Sequence, residues 1–343
     1  MMAMSFEELA KLAVAKKASD LHIVVGEPPI LRVDGALQVQ TDLPAITAED
    51  AEKLSSSITT PEEQERFRAE RELDFSYVAE DGTHFRMNLQ WEQGTIGLVA
   101  RLVSANIPTL QELFMPEICK NILQVKQGLV LMTGPTGAGK SSSLAAMVNY
   151  INETRAEHIV TFEDPIEFAF TPKKSVILQR QIGTDVLSFA EGLKHVVRQD
   201  PNVIVVGEAR DLETMSAVLT LAETGHLVLA TLHTPGAVQA VNRIIDLFPP
   251  HQQEQVRFSL SSVLTAIIAK WLLPRASGGR IPAYEILINT TAVAGLIRDN
   301  KVSQIKTVLE TSRNQGMITM DQALEELRKA GEISQDVSSE ATH

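Results

Sequence analysis

One cysteine, Cys119, stands in 343 residues. A single thiol closes no disulfide within the chain and builds no four-cysteine zinc module. It reads as a small buried apolar side chain. Positive charge is also short: 31 Lys and Arg against 43 Asp and Glu give a formal charge of −12. Phosphate backbones ask for a basic footprint, so nucleic acid is not expected as a partner. The first residues, Met-Met-Ala-Met-Ser-Phe-Glu-Glu, hold no basic region followed by an apolar core, so no signal peptide is expected. The most apolar long run, Val263 to Leu273, contains Lys270 and is too short to span a bilayer. No direct membrane insertion and a cytoplasmic location are therefore expected. Internal repeats and low-complexity blocks are absent as well. What is present, 44% hydrophobic and 22% charged residues, fits a globular chain with a sizeable core. The length leads us to expect two domains.

The chain is organised around residues 129–141, Leu-Val-Leu-Met-Thr-Gly-Pro-Thr-Gly-Ala-Gly-Lys-Ser. An apolar run enters a glycine-rich loop that closes on Lys-Ser, the G-x-x-x-x-G-K-[ST] pattern between a strand and a helix. Backbone N–H groups of Gly134, Pro135, Thr136, Gly137, Ala138, Gly139, Lys140, Ser141 and Ser142 (Pro135 excepted, having none) form the expected phosphate cradle. Lys140 can reach the β- and γ-phosphates of ATP, and the Ser141 hydroxyl can ligate Mg²⁺. The following helix, about Ser141 to Asn152, points its positive end at the same phosphates.

Before this loop, Ser5 and Glu8 form a capping box for a helix through about Lys17, and Leu21 to Val25 reads as a strand. Ile30 to Val33, Asp34-Gly35 and Ala36 to Gln40 read as a hairpin. Thr60, Pro61 and Glu63 start a further helix. Strands are expected at about Thr83 to Gln90 and Thr95 to Val103. Parity sets Arg86 and Arg101 opposite the apolar rows of these strands, away from a small core. They read either as solvated surface arginines or as cations aimed at phosphates. Residues 1–104 are thus expected to be a small α+β domain and 105–115 a linker.

Residues 116–343 alternate helices with short apolar strands, the mark of a parallel α/β sheet. His158 to Phe162 runs into Glu163. Val203 to Val206 runs into Gly207-Glu208. His226 to Thr231 is followed by His233. Ligands of open α/β sheets bind at the carboxyl ends of strands, which sets Glu163, Glu208 and His233 beside the loop. Glu208 follows its strand in the Walker B manner, so a metal-associated role is its default. Glu163 is preferred over Glu208 for orienting water. His233 can sense the γ-phosphate. Arg198 and Arg210 are expected in structural ion pairs. From about Ala237 to Ala330 the chain is expected to be mostly helical with a strand near Ala283 to Ile288, and the tail after Ile333 to fray.

Four segments together resemble the type II/type IV secretion ATPase superfamily. They are Gly134 to Ser141, Thr161-Phe-Glu-Asp-Pro-Ile-Glu167 like its aspartate box, Val206-Gly-Glu-Ala-Arg-Asp211 like its Walker B, and Thr224 to Thr234 like its histidine box. The likeness extends to Ser19-Asp-Leu-His-Ile23 and Ile107-Pro-Thr-Leu110. Within the superfamily the chain resembles the twitching-motility group, the retraction ATPases of type IV pili (PilT and PilU types). That resemblance implies an N-terminal PAS-like α+β domain and a RecA-like P-loop NTPase domain. It further implies a ring-shaped homohexamer, ATP with Mg²⁺, an inner-membrane pilus platform protein as partner, and a paralogous pilus ATPase. Arg86 and Arg101 match the group's arginines that approach phosphate, while His84 and Gly94 stand where arginine is common. Near the C-terminus, Ala292-Val-Ala-Gly-Leu-Ile-Arg-Asp299 replaces the group's Ala-Ile-Arg-Asn-Leu-Ile-Arg-Glu. The expected activity is ATP hydrolysis driving pilus retraction. The alternatives are a pilus-assembly or type II secretion ATPase and a non-hydrolysing accessory subunit. The single cysteine weighs against an assembly ATPase bearing a four-cysteine module.

Overall fold

The computed structural model describes residues 4–33, 35–103 and 106–335. Asp34 of the expected hairpin, Ala105 at the head of the expected linker and the tail from residue 336 lie outside them. The chain divides into two compact units, Met1–Asn106 with Glu167–Ala169 and Ile107–Ile166 with Phe170–His343.

In the first unit, α1 (Phe6–Ala15) starts at a reciprocal cap. Ser5 Oγ accepts the Glu8 N–H, and the Glu8 carboxylate takes the Ser5 N–H at 2.8 Å. The same box starts α2 (Ala48–Ile58) at Thr47 and Asp50. It starts α3 (Pro61–Glu70) at Thr60 and Glu63, with Pro61 in the first turn. Six antiparallel strands form one sheet: β1 (Asp20–Ile23), β2 (Ile30–Val33), β3 (Ala36–Val39), β4 (Glu72–Val78), β5 (His84–Glu92) and β6 (Thr95–Leu102), in the order β3-β2-β1-β6-β5-β4. Helix α2 and strand β4 are additions to the sequence reading. Leu21, Leu31, Leu73, Phe85, Met87, Leu89 and Leu98 line one face and pack with Phe6, Leu9, Leu54 and Ile58 from the helices. The tight β5–β6 turn holds both Gln93 (φ 48°) and Gly94 (φ 82°) in the left-handed region that two-residue hairpins use.

The second unit is built on seven strands. They are β7 (Gly128–Thr133), β8 (His158–Glu163), β9 (Val176–Gln181), β10 (Val203–Val206), β11 (Leu227–Thr231), β12 (Leu264–Pro274) and β13 (Arg280–Ile288). Their order is β13-β12-β7-β11-β10-β8-β9, all pairs parallel except β12–β13. Alternate residues of the central strands serve opposite cores. Leu129, Leu131, Ile204, Val206, Val228 and Ala230 join one cluster, whereas Val130, Met132, Val203, Val205, Leu227 and Leu229 join the other. This two-sided burial explains why these strands read as unbroken apolar runs. The helices are α4 (Ile118–Ile122), α5 (Lys140–Thr154), α6 (Phe189–Val196), α7 (Leu212–Glu223), α8 (Ala237–Asp246), α9 (Pro250–Val263), α10 (Thr291–Arg298), α11 (Ile305–Thr311) and α12 (Met320–Lys329).

Two expectations are corrected. The stretch expected to be helical around Val263 to Leu273 is strand β12, an eleven-residue strand hydrogen-bonded to β7 on one side and β13 on the other. Its residues are apolar at nearly every position because both faces are covered, and an unbroken apolar run carries no period that separates strand from helix. The segment expected as a linker is packed from Leu110 onward: Leu110 and Met115 are buried in the cluster around Met132.

Candidate active site

The turn from β7 into α5 sets the site. Gly134 adopts φ +144°, and a Cβ there would come within 2.2 Å of the Lys270 carbonyl oxygen. Gly139 caps α5 in the left-handed conformation at φ 76°. Both positions call for glycine, one for space and one for dihedral angle. Thr136 and Gly137 stand exposed at the loop tip, Pro135, Gly139, Ser141 and Ser142 are half-buried, and Ala138 and Lys140 are buried. The first turn of α5 thus presents its unpaired N–H groups where the loop opens.

Lys140 Nζ donates to the carbonyls of Gly134 (2.7 Å) and Pro135 (3.0 Å) and lies 3.3 Å from His233 Nδ1. His233 Nε2 lies 2.9 Å from Glu208 Oε1. With Nε2–H donating to Glu208 and Nδ1 accepting from Lys140, one tautomer satisfies both contacts. Lys140, His233 and Glu208 therefore form a continuous chain across the ends of β7, β11 and β10. Burial pushes the Lys140 amine below the usual lysine range, and the Glu208 carboxylate opposes that shift. Burial pushes the Glu208 carboxyl up, but Arg210 and His233 outweigh it and hold it below the usual carboxylate range. Arg210, expected in a structural ion pair, is paired with Glu208.

Backbone and threonine contacts hold these strand ends in register. Thr133 Oγ1 accepts the Thr234 N–H at 3.0 Å and lies 2.6 Å from the Thr234 carbonyl, and Leu232 N–H reaches the Met132 carbonyl at 3.0 Å. Thr231 Oγ1 donates to the Gly207 carbonyl, next to Glu208. Trp271 Nε1 donates to the Pro235 carbonyl at 2.9 Å, fixing the segment beyond His233. His233 is aimed by packed strands on both sides.

Glu163 ends β8 two residues beyond Thr161 and faces the same way. Its Oε1 accepts from Thr161 Oγ1 at 2.6 Å and from Gln179 Nε2 of β9 at 3.1 Å. Glu163 is thus oriented by its own strand and the next one.

Arg86 and Arg101 belong to the first unit and are direct cross-strand partners in the β5–β6 pair. The row continues, since Asp20 pairs with Arg101 on one side and Arg32 on the other. Arg101 Nε donates to Asp20 Oδ1 at 2.7 Å, while Arg32 Nε lies 3.7 Å from Oδ2. Burial pushes the Asp20 carboxyl up, yet the Arg101 and Ser19 hydrogen bonds bring it below the usual range.

The family described as Type II/IV secretion system protein matches residues 2–278. The chain belongs to that family. It is 41% identical over 333 residues to the type IV pilus retraction ATPase PilT of Pseudomonas aeruginosa, covering 97% of this chain and 96% of that one. It is also 41% identical over 332 residues to the type IV pilus ATPase PilU of the same organism, covering 96% and 87%. A crystal structure of the pilus retraction motor PilT with bound ADP superimposes with a TM-score of 0.90 at 42% identity, covering 97% of this chain and 96% of that chain. The α/β fold with its two sheets is thus the fold of this secretion ATPase family.

Sequence reasoning missed the pairing of Asp20 with Arg101 in the first unit and the contacts of Lys270 with the phosphate loop in the second. Asp20 had a signal: it lies inside the Ser19-Asp-Leu-His-Ile23 segment and shares strand parity with Arg101. The signal for Lys270 was a lone lysine in an otherwise apolar run.

Proposed function

We propose that this chain is the subunit of an ATP-hydrolysing motor that assembles as a homohexameric ring and drives type IV pilus retraction, withdrawing pilins to produce twitching. The observation that carries the reading is the Lys140–His233–Glu208 chain at the mouth of the phosphate loop. Lys140 gives two of its donors to loop carbonyls, and a phosphate can take the place of those carbonyls. His233 touches both the phosphate-binding lysine and the Walker B acid, so a change at the γ-phosphate reaches β10 and β11 together.

The donor set fits Mg²⁺: Glu208 is held ionised, and Ser141 offers a hydroxyl from the first turn of α5. Ser141 and Glu208 would hold the ion, which would supply neutralisation of the charge that develops on the phosphate. Glu208 is a weak base because its partners stabilise its anion. Glu163, held by Thr161 and Gln179, is the better orienter of water. Arg86 and Arg101 supply positive charge to nucleotide phosphates in the assembled ring. The motor works in the cytoplasm, attached to the inner membrane through a pilus platform protein. Among the described residues, no helix is long and apolar enough to cross a membrane.

A second reading, an accessory motor acting beside a paralogous pilus ATPase, draws on two observations. Identity to PilT and PilU is equal, and Ala294-Gly295 replaces Arg-Asn on α10. The decisive experiment is phosphate release from ATP by the full chain and by Lys140→Ala, paired with deletion of the gene. Turnover lost in the variant, with hyperpiliated non-twitching cells on deletion, is the expected result. Bald cells would indicate assembly instead. Wild-type turnover in Lys140→Ala would remove the loop from the chemistry.

A further inference from the structure

Lys270 lies in the middle of β12, 2% exposed, behind the phosphate loop. It touches both ends of that loop. Its carbonyl oxygen occupies the space a side chain at Gly134 would need. Its Nζ donates to the Gly139 carbonyl at 3.3 Å and to Ser143 Oγ in the first turn of α5 at 2.8 Å. The ammonium also lies 5.6 Å from the centre of the Tyr284 ring on β13, whose hydroxyl donates to the Leu113 carbonyl. No carboxylate pairs with it among the described residues, and burial pushes its pKa down to about 8.

This placement is unfavourable for the protein alone. A buried ammonium without a counter-ion is costly. A cation at the N-terminus of α5 also opposes the helix dipole, which is positive at that end. Both penalties shrink when an anion sits on the outer side of the same loop. The lysine's two acceptors, moreover, flank the N–H groups that meet phosphate.

We propose that Lys270 is a positioning residue of the nucleotide site, a second lysine that holds the phosphate loop and the start of α5 from behind so that their N–H groups stay aimed at the phosphates. The proposal rests on the reading of this loop as a nucleotide site. Because it acts on the cradle and not on the attacking water, it concerns binding. Losing an interaction shared by ground and transition states weakens affinity and leaves kcat nearly intact.

The test uses the full-length chain, with MgADP titrated by calorimetry and kcat measured at saturating ATP. Lys270→Met should weaken ADP roughly tenfold, the size expected when two hydrogen bonds that shape the cradle are lost. Its kcat should stay within about threefold of wild type, since the reacting groups are untouched. A purely structural role gives the opposite split: fewer folded molecules, a lower apparent kcat and unchanged affinity. Should Lys270→Met not fold, Ser143→Ala carries the test, with the amine in place and one acceptor gone. It should weaken ADP about threefold. Where both variants fold, the double variant should resemble Lys270→Met alone, because the two residues share one contact. Wild-type ADP affinity in either variant overturns the proposal, and so does additivity in the double variant. If the wild-type chain itself binds no MgADP, the reading of the site fails first, and the proposal with it.

Discussion

In the first sheet one face meets α1 and α2, and the other carries Arg32, Asp20, Arg101 and Arg86 side by side across four strands. In the second sheet, β7, β10 and β11 are buried on both faces, and no charged residue lies within them. A one-sided sheet tolerates charge in mid-strand, provided cross-strand neighbours neutralise it. A two-sided sheet must keep charge for the strand ends, where Lys140, Glu208 and His233 gather. Lys270 departs from this division: it is a charge inside a two-sided strand, placed where the strand passes the phosphate loop.

The largest effects expected within this comparison lie at the strand ends. Glu208→Gln and Glu163→Gln should each lower ATP hydrolysis by roughly 10²–10⁴, the range for positioned acid–base groups. ADP binding should persist in both. The two should part in their Mg²⁺ requirement, which rises for Glu208→Gln and holds for Glu163→Gln if only Glu208 is metal-associated. Full turnover in either variant takes that residue out of the mechanism.

A smaller loss is expected from the strand face. Arg101→Ala should reduce hydrolysis by roughly 10- to 100-fold, the equivalent of one charge-assisted hydrogen bond to phosphate. Mixing it with Lys140→Ala should restore activity if the arginine serves a neighbouring subunit, because a mixed ring contains some intact composite sites. Unchanged turnover by Arg101→Ala alone returns this arginine to solvated surface. The strand-face charges would then be structural only.

Local chemistry was the most legible part of the sequence. The phosphate loop, the capping boxes at Ser5 and Thr60 and the apolar strands before Glu163 and Glu208 depend on residues within a few positions of one another. Contacts between distant strands were hidden. Asp20 meets Arg101 across 81 positions, and Lys270 meets Ser143 across 127. Strand parity sets Asp20 and Arg101 on matching faces, but nothing local in the sequence pairs their strands or brings Lys270 to Ser143. Two-sided burial also erased the distinction between helix and strand at β12, and packed apolar side chains at Leu110 and Met115 turned an expected linker into core.

Asp20 offers a still smaller test, in stability instead of turnover. Asp20→Asn should cost about 1 kcal/mol, a charged hydrogen bond discounted because Arg101 is largely solvent-exposed. The sign with pH follows from its carboxyl being lower in the folded chain than its ordinary 3.8. The unfolded chain binds the proton more readily, so this contribution is present above pH 3.8 and fades as pH falls through the folded value. Acid titration of the melting temperature should therefore show a shallower fall in Asp20→Asn than in wild type. Parallel curves would mean that the Arg101 contact contributes nothing to stability.

The smallest effect is expected away from both sheets, on α10, where the sequence departs from the retraction group. Gly295 is interior to that helix, and a Cβ built on it meets nothing within 4 Å. Contrast Gly134, where a Cβ would strike the Lys270 carbonyl. Glycine in a helix interior loses more backbone freedom on folding than alanine, at about 0.5–1 kcal/mol. Gly295→Ala should therefore raise stability by about that amount in chemical denaturation and leave phosphate release unchanged, since α10 carries none of the site's residues. The unpartnered space beside Gly295 is a property of the single chain. If the variant gains stability as a monomer yet loses it at concentrations where rings form, a neighbouring subunit fills that space, and the glycine is required by assembly.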